Sequence, residues 1–243
     1  MSINLLKRLE SSVHSFLLTV RRIQGYMSET VSKIEVFVRG QGTPAFDELL
    51  DLAEDAAEFD GDDQNTDFFG VGKKVRIDLR DIDYISWKRD IDEDLENLQK
   101  LMAMVEGITP EHDFKLNELL RVIREKVANP INPGNRKILI FTAFADTAEY
   151  LYENVSKMAK AELGLNSALV TGSVDGQTTI PSFKADMNHV LACFSPRSKD
   201  RDILYPQDRA DIDILIASDC ISEGQNLQDC DYCGNYDIHW NPV

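Results

Sequence analysis

Apolar residues at the start of the chain recur at three- and four-residue steps, the spacing of helices with one buried face. This spacing predicts a helix from Ile3 to about Tyr26, ended by Gly25. It predicts a second helix from Ser28 to Val38, after which glycine and proline residues break the pattern. We therefore expect the chain to begin with two amphipathic helices.

A run of acidic residues interrupts the helical pattern. Ten acidic residues and no basic residue fall between Asp47 and Asp67, and so little apolar surface cannot offset the entropy lost on ordering. We expect an acidic, mobile loop near residues 45–75. Helical spacing returns from about Tyr84 to Val105 and again over residues 112–127. Residues 1–134 are therefore predicted to form a mainly helical region.

The pattern changes after the proline-rich turn at Asn129–Gly134, where short apolar runs alternate with helix-like stretches, as in βαβ units. Four runs are predicted to be strands: Lys137–Thr142, Ala168–Thr171, Asp213–Ala217 and Tyr232–Tyr236. Two helices are predicted between them: Ala145–Ala161 and Phe183–Phe194. Residues 135–243 are therefore expected to form an α/β domain with a parallel sheet.

The net charge of −16 narrows the possible partners. A strongly acidic chain repels phosphate at long range, which counts against nucleic-acid binding through a broad basic surface. Binding in a narrow groove of oriented backbone amides remains open. No apolar run reaches the roughly 18 residues that span a bilayer, so no membrane partner is expected.

The cysteines and histidines give little sign of a metal site. Cys230 and Cys233 form a lone Cys-x-x-Cys, but no second pair follows, so the sequence favours incidental thiols over zinc or redox chemistry. The four histidines are scattered along the chain, which favours solvated or core roles. No metal ligands are predicted, and the absence of a signal-peptide pattern points to the cytoplasm.

Motifs for independent catalysis are missing from the sequence. It contains no Gly-x-x-x-x-Gly-Lys-Ser/Thr loop and no strand ending in a paired Asp-Glu, the usual means of holding nucleotide phosphates and Mg²⁺. It also has no nucleophile elbow and no zinc-protease motif. We predict no catalytic residue within this chain.

Polar segments instead follow the predicted strands. They are Thr142-Ala143-Phe144, Thr171-Gly172-Ser173 and the stretch from Ala217 to Gln228. Open α/β sheets bind ligands at the carboxyl ends of their strands. These segments are therefore the candidate ligand site.

The order of these motifs resembles a known family. Strand-Phe-Thr is followed by Leu-Val-Thr-Gly-Ser, by Ile-Ala-Ser-Asp-x-x-x-Glu-Gly-x-Asn-Leu-Gln, and by Asn-Tyr-Asp-x-x-Trp-Asn-Pro. Together they resemble the C-terminal helicase domain of bacterial Swi/Snf-type ATPases of superfamily 2. Phe194–Ser198 and Leu9–Phe16 also resemble segments of that family. The resemblance covers about residues 1–20 and 84–243 and implies a RecA-like parallel sheet with flanking helices.

The resemblance also implies two sets of site residues. Four strand-end residues would contact nucleic-acid phosphates: Thr142, Thr171, Gly172 and Ser218. Three residues would lie at the nucleotide: Glu223, Gly224 and Asn226. Gly172 would permit close approach of a phosphate because it has no Cβ.

In such ATPases, ATP and Mg²⁺ lie in a cleft shared with a first RecA-like domain, which this chain would lack. The chain would also end before the Gln-x-x-Gly-Arg-x-x-Arg motif, whose arginines stabilise the transferred phosphoryl group. The implied parent is an ATP-hydrolysing helicase or translocase, with double-stranded DNA favoured over RNA, and the chain alone would be inactive. The alternative is a non-catalytic interaction module, in which the helical half docks on a partner and a degenerate RecA-like half supports it.

Overall fold

The computed structural model describes residues 2–40, 79, 82–172, 176–183, 186–218 and 225–237. The acidic loop predicted near residues 45–75 lies outside these residues. Glu223 and Gly224 lie outside them as well. Everything below concerns the described part of the chain.

The helical region contains α1 (Ser2–Ser11), α2 (Val13–Val38) and α3 (Tyr84–Val105). The break between the first two helices comes at Ser12, whose hydroxyl accepts a hydrogen bond from the Ser15 N–H at 3.0 Å. The predicted end at Gly25 is wrong, because α2 runs through it. One glycine costs a helix only about 1 kcal/mol relative to alanine, and buried residues on both sides of it hold α2 together.

Helix α4 (Phe114–Ala128) follows a short 3₁₀ turn at Pro110–His112 and agrees with the predicted helix to within two residues. The Asp113 carboxylate caps α4 by accepting from the Leu116 N–H at 2.9 Å. Leu116 and Ile123 on α4 belong to the same apolar cluster as the sheet residues. This last helix of the helical region therefore packs directly on the sheet.

The sheet has five strands in the order β3-β2-β4-β1-β5. They are β1 (Ile138–Phe141), β2 (Ser167–Val170), β3 (Gln177–Thr178), β4 (Ile214–Ala217) and β5 (Cys233–Asn235). Strands β2, β4, β1 and β5 are parallel, as predicted, whereas β3 pairs antiparallel with β2. A two-residue strand is too short to show any hydrophobic period, which is why the sequence did not reveal β3.

Helices cover both faces of the sheet. On one face lie α4 and α5 (Ala145–Met158), the latter extended by a π-helical turn at Ala159–Leu163. On the other face lies α6 (Met187–Phe194), followed by the four-residue α7 (Arg201–Leu204). The predicted α/β class with flanking helices and a helical N-terminal region is confirmed. None of the helices in the described residues combines the length and apolar character needed to cross a membrane.

Candidate nucleic-acid interface

Three central strands end level with one another at the carboxyl edge of the sheet. In the strand register, Phe141 and Val170 both pair with Ala217. The next residues are Thr142, Thr171 and Ser218. Their backbones continue the ladder, because the Thr142 N–H donates to the Ala217 carbonyl at 3.1 Å and the Ser218 N–H donates to the Val170 carbonyl at 3.2 Å. The structure thus brings three of the predicted phosphate-contacting residues into one row.

The Thr142 hydroxyl is engaged within the protein. It donates to Oδ2 of Asp237 at 2.6 Å, and the Ala143 N–H donates to the same oxygen at 2.7 Å. Thr142 is only 2% exposed. The Asp237 carboxylate, after β5, therefore accepts hydrogen bonds from the side chain and backbone at the end of β1.

Lys115 lies on the other side of this carboxylate. Its ammonium group contacts Oδ1 of Asp237 at 3.4 Å and lies 3.9 Å from the centre of the Tyr236 ring. It also donates to the carbonyl oxygens of Glu10 and Ser11, each at 2.8 Å. Burial lowers the pKa of Lys115, although the Asp237 charge opposes this shift. One lysine thus joins α1, α4 and the end of β5.

At the end of β2 the geometry is different. Thr171 is 7% exposed, and its hydroxyl has no hydrogen-bond partner in the part of the chain that the structure describes. The next residue, Gly172, is exposed. Ser218, between the two threonines in the row, is fully buried. The buried hydroxyl of Thr171, without a partner among the described residues, therefore lies next to an exposed glycine.

Of the predicted nucleotide residues, the structure describes Asn226, which is exposed. Its neighbour Gln225 accepts a hydrogen bond from the Lys199 ammonium at 2.6 Å. Asp229 accepts from the Arg197 N–H at 2.7 Å and from the Ser198 hydroxyl at 2.7 Å. These contacts hold residues 225 and 229 against residues 197–199. The sequence singled out both segments but gave no sign that Asp229 would join them.

The N-terminal helices cover the start of α5, which follows the end of β1. Arg8 contacts the Asp146 carboxylate at 3.1 Å, and both side chains are at least nine-tenths buried. Arg22 contacts the other oxygen of Asp146 at 3.4 Å. The hydroxyls of Ser11 and Ser12 lie 2.8 and 3.0 Å from that of Thr147. Sequence reasoning missed this polar contact because its partners are far apart in the chain.

Two buried tyrosines lie near the same edge. The Tyr150 hydroxyl donates to the Asp113 carboxylate at 3.0 Å, and its ring stacks on His14. The Tyr236 hydroxyl has no partner among the described residues. Burial raises the pKa of both phenols well above the usual range. Only Tyr150 has an acceptor in place of the water that it lost.

Comparison with known families decides what this architecture is. A family model described as the helicase conserved C-terminal domain matches residues 115–243, just over half of the 243 residues. The chain belongs to this family. The matched part of the helicase C-terminal domain begins in α4, in agreement with the packing of that helix on the sheet.

A related protein also supports the assignment to a helicase family. Over 134 residues the chain is 29% identical to the putative ATP-dependent DNA helicase fml2 of Schizosaccharomyces pombe. The match covers 51% of this chain and 16% of that protein, so the chain spans a small part of its relative's length. The family and this relative together support a helicase motor-domain role.

Proposed function

We propose that the chain acts as the second motor domain of an ATP-dependent nucleic-acid translocase of the Swi/Snf type. The observation that carries the proposal is the end of β2, where the buried Thr171 hydroxyl has no partner in the described residues and Gly172 is exposed. A buried hydroxyl without a partner costs free energy, and an outside acceptor that binds it would remove this cost. A nucleic-acid phosphate oxygen is such an acceptor.

The four strand-end residues would not contribute equally. Thr171 and Gly172 would make the main phosphate contact, through the hydroxyl and the exposed backbone. Thr142 already donates to the Asp237 carboxylate, whose charge repels phosphate, so contact there would require that carboxylate to move. Ser218 is fully buried, so it would support the neighbouring strand ends rather than contact phosphate directly. Double-stranded DNA is favoured over RNA by family analogy and by the name of the DNA helicase relative.

ATP and Mg²⁺ would be shared with a first RecA-like domain across a cleft, with Glu223, Gly224 and Asn226 on this side of it. The 243 residues contain neither a phosphate-binding loop nor a Gln-x-x-Gly-Arg-x-x-Arg motif. Both the phosphate grip and the arginines that stabilise phosphoryl transfer would therefore come from elsewhere. The chain alone is expected to be inactive, and its parent is expected to be a cytoplasmic ATP hydrolase.

The test is ATP turnover, with and without duplex DNA, for the 243-residue chain and for the full reading frame that encodes it. We expect turnover, and stimulation by DNA, for the full frame alone. In that frame, Thr171→Val should remove most of the DNA stimulation, whereas Thr171→Ser, which restores the hydroxyl, should recover it. Single-stranded DNA and duplex RNA serve as comparison substrates. A full frame without a phosphate-binding loop, or without DNA-stimulated turnover, would overturn the proposal.

A second candidate is a non-catalytic interaction module. Large apolar side chains are exposed on α3 and at the start of α4: Ile85, Met104 and Phe114. Surface of this kind favours contact with another protein. This candidate predicts a full frame that neither turns over ATP nor responds to DNA, together with a protein partner that is lost in Phe114→Asp and kept in Thr171→Val.

A further inference from the structure

Helix α6 carries a histidine and a cysteine on one face. His189 and Cys193 are four residues apart, and such residues lie one above the other on a helix. Asp208, from the segment after α7, reaches the same place. Nε2 of His189 lies 2.6 Å from Oδ2 of Asp208, and Sγ of Cys193 lies 4.0 Å from that oxygen. Three different ligand atoms therefore lie within 4.8 Å of one another.

We propose that His189, Cys193 and Asp208 form a binding site for a divalent transition-metal ion, with Zn²⁺ as the best chemical fit. Imidazole nitrogen, thiolate sulfur and carboxylate oxygen are the donors that Zn²⁺ prefers, and three protein ligands leave the fourth tetrahedral position to water. This inference is independent of the proposed motor function.

The observed separations are close to those that a tetrahedral ion requires. With ordinary Zn–N, Zn–O and Zn–S bond lengths, the ligand atoms would lie about 3.3 to 3.6 Å apart. The imidazole and carboxylate would therefore have to separate by about 0.7 Å. The thiol would have to approach the carboxylate oxygen by about 0.4 Å and the imidazole nitrogen by up to about 1.2 Å.

Neighbouring groups already hold the His189 and Asp208 side chains in place. The His189 ring is stacked between Phe183 and Tyr205, with ring centres 4.4 and 4.1 Å away. The other carboxylate oxygen of Asp208 accepts from the Ala210 N–H at 2.7 Å. A hydrogen-bonded carboxylate and an oriented imidazole are the outer-shell features that support metal affinity. The His189 and Asp208 side chains are 16% and 25% exposed, which gives an ion a route from solvent.

The Cys-x-x-Cys pair provides a matched contrast. Cys233 is exposed, and Sγ of Cys230 donates to the Tyr232 carbonyl at 3.1 Å. Within the described part of the chain, these thiols belong to no group of three possible ligands. The proposed site instead links α6 to the segment before β4, so a bound ion would stabilise this face of the sheet.

The test is titration of the metal-free 243-residue chain with Co²⁺, which reports thiolate ligation through a charge-transfer absorption band. We expect one Co²⁺ per chain, displacement by Zn²⁺, and a melting temperature that rises with added Zn²⁺. Cys193→Ser should abolish the charge-transfer band. Asp208→Asn should weaken binding by at least the roughly 10- to 100-fold that the loss of an outer-shell partner costs. The double variant Cys230→Ser, Cys233→Ser should bind Co²⁺ as the wild type does.

The fold of each variant is checked by circular dichroism. If the buried Cys193→Ser chain does not fold, the partly exposed Asp208→Asn variant decides on the same measurement. Absence of the band in the wild-type chain would overturn the proposal. So would a band that survives Asp208→Asn unchanged, or one that is lost in the Cys230→Ser, Cys233→Ser variant.

Discussion

The two strand-end threonines, Thr142 and Thr171, occupy equivalent places on either side of β4 but differ in what their hydroxyls do. Thr142 donates to the Asp237 carboxylate, whereas the Thr171 hydroxyl has no partner in the described residues. The difference follows from the neighbours. The end of β1 lies beside β5, and Asp237 is the second residue after the end of β5. A motif therefore indicates which side chain is a candidate for binding. The hydrogen-bond acceptors around that side chain in the fold determine whether its hydroxyl is already bonded within the protein.

The largest loss of unfolding free energy is expected from breaking the contact of α1 and α2 with the start of α5, which follows β1. Among the described residues, Arg8→Ala leaves the buried Asp146 carboxylate with the longer Arg22 contact. Removing the partner of a buried charge costs about 3 to 5 kcal/mol of unfolding free energy, and because Arg22 remains we expect a loss toward the lower end of that range. The control is Arg21→Ala, whose contact with Glu106 is half exposed on both sides and is worth at most about 1 kcal/mol. Equal losses in urea denaturation would contradict the importance of the Arg8 contact.

The threonine comparison itself is tested by replacing each hydroxyl with a methyl group. Thr142→Val removes a hydrogen bond to a carboxylate and should cost about 1.5 to 3 kcal/mol of unfolding free energy. Thr171→Val removes a buried hydroxyl without a partner and should leave stability unchanged or slightly higher. Urea denaturation of both variants measures the difference. A comparable loss at Thr171 would show that its hydroxyl is satisfied in solution.

A smaller contrast is expected between the two buried tyrosines. Tyr150→Phe removes the donor to Asp113 and should cost about 1 kcal/mol of unfolding free energy. Tyr236→Phe removes a hydroxyl that has no partner in the described residues and should be close to neutral. Thermal and urea unfolding of the two variants test this prediction. The reverse order would mean that the Tyr236 hydroxyl is the better satisfied of the two.

The smallest effect is a pH dependence. Burial holds the pKa of Tyr236 above its unfolded value of about 10, so the unfolded chain releases this proton first. Stability should therefore be lost as pH rises above about 10, by about 0.8 kcal/mol at pH 10.5 from this group. Tyr236→Phe should lose correspondingly less stability between pH 9 and about 10.5. Burial lowers the pKa of Lys115, which changes the stability in the opposite direction as pH rises. Because Lys115 is present in both the wild type and Tyr236→Phe, this contribution cancels in the comparison. Parallel pH profiles for the two chains would contradict a raised pKa.

Much of the architecture could be predicted from periodicity alone. The predicted α3 has the observed bounds, and four predicted strands agree with the structure to within two residues. Level strand ends then place Thr142, Thr171 and Ser218 in one row. The exceptions are local: β3 and α7 are too short to show a period, and Gly25 breaks no helix because packing outweighs its propensity.

The contacts that distinguish the site residues could not be predicted. Asp237 lies 95 residues from Thr142, and no spacing rule joins them. The same holds for Asp208, which is 15 residues from Cys193 and is brought back by the chain after α7. The four-residue step from His189 to Cys193 was visible in the sequence. Without a third ligand, however, it resembles any two residues on a buried helix face. Side-chain chemistry across distant segments becomes apparent only in three dimensions.

The cover formed by α1 and α2 also has a consequence for synthesis of the chain. Arg8 and Asp146 are 138 residues apart, and Ser11 and Thr147 are 136 residues apart. At translation rates of about 5 to 20 residues per second, the first helices wait on the order of ten seconds before their partners exist. During that interval the side chains of α1 and α2 that will contact α5 face water instead. Within these 243 residues, α1 and α2 thus reach their final place only after α5, the helix that they cover, has left the ribosome.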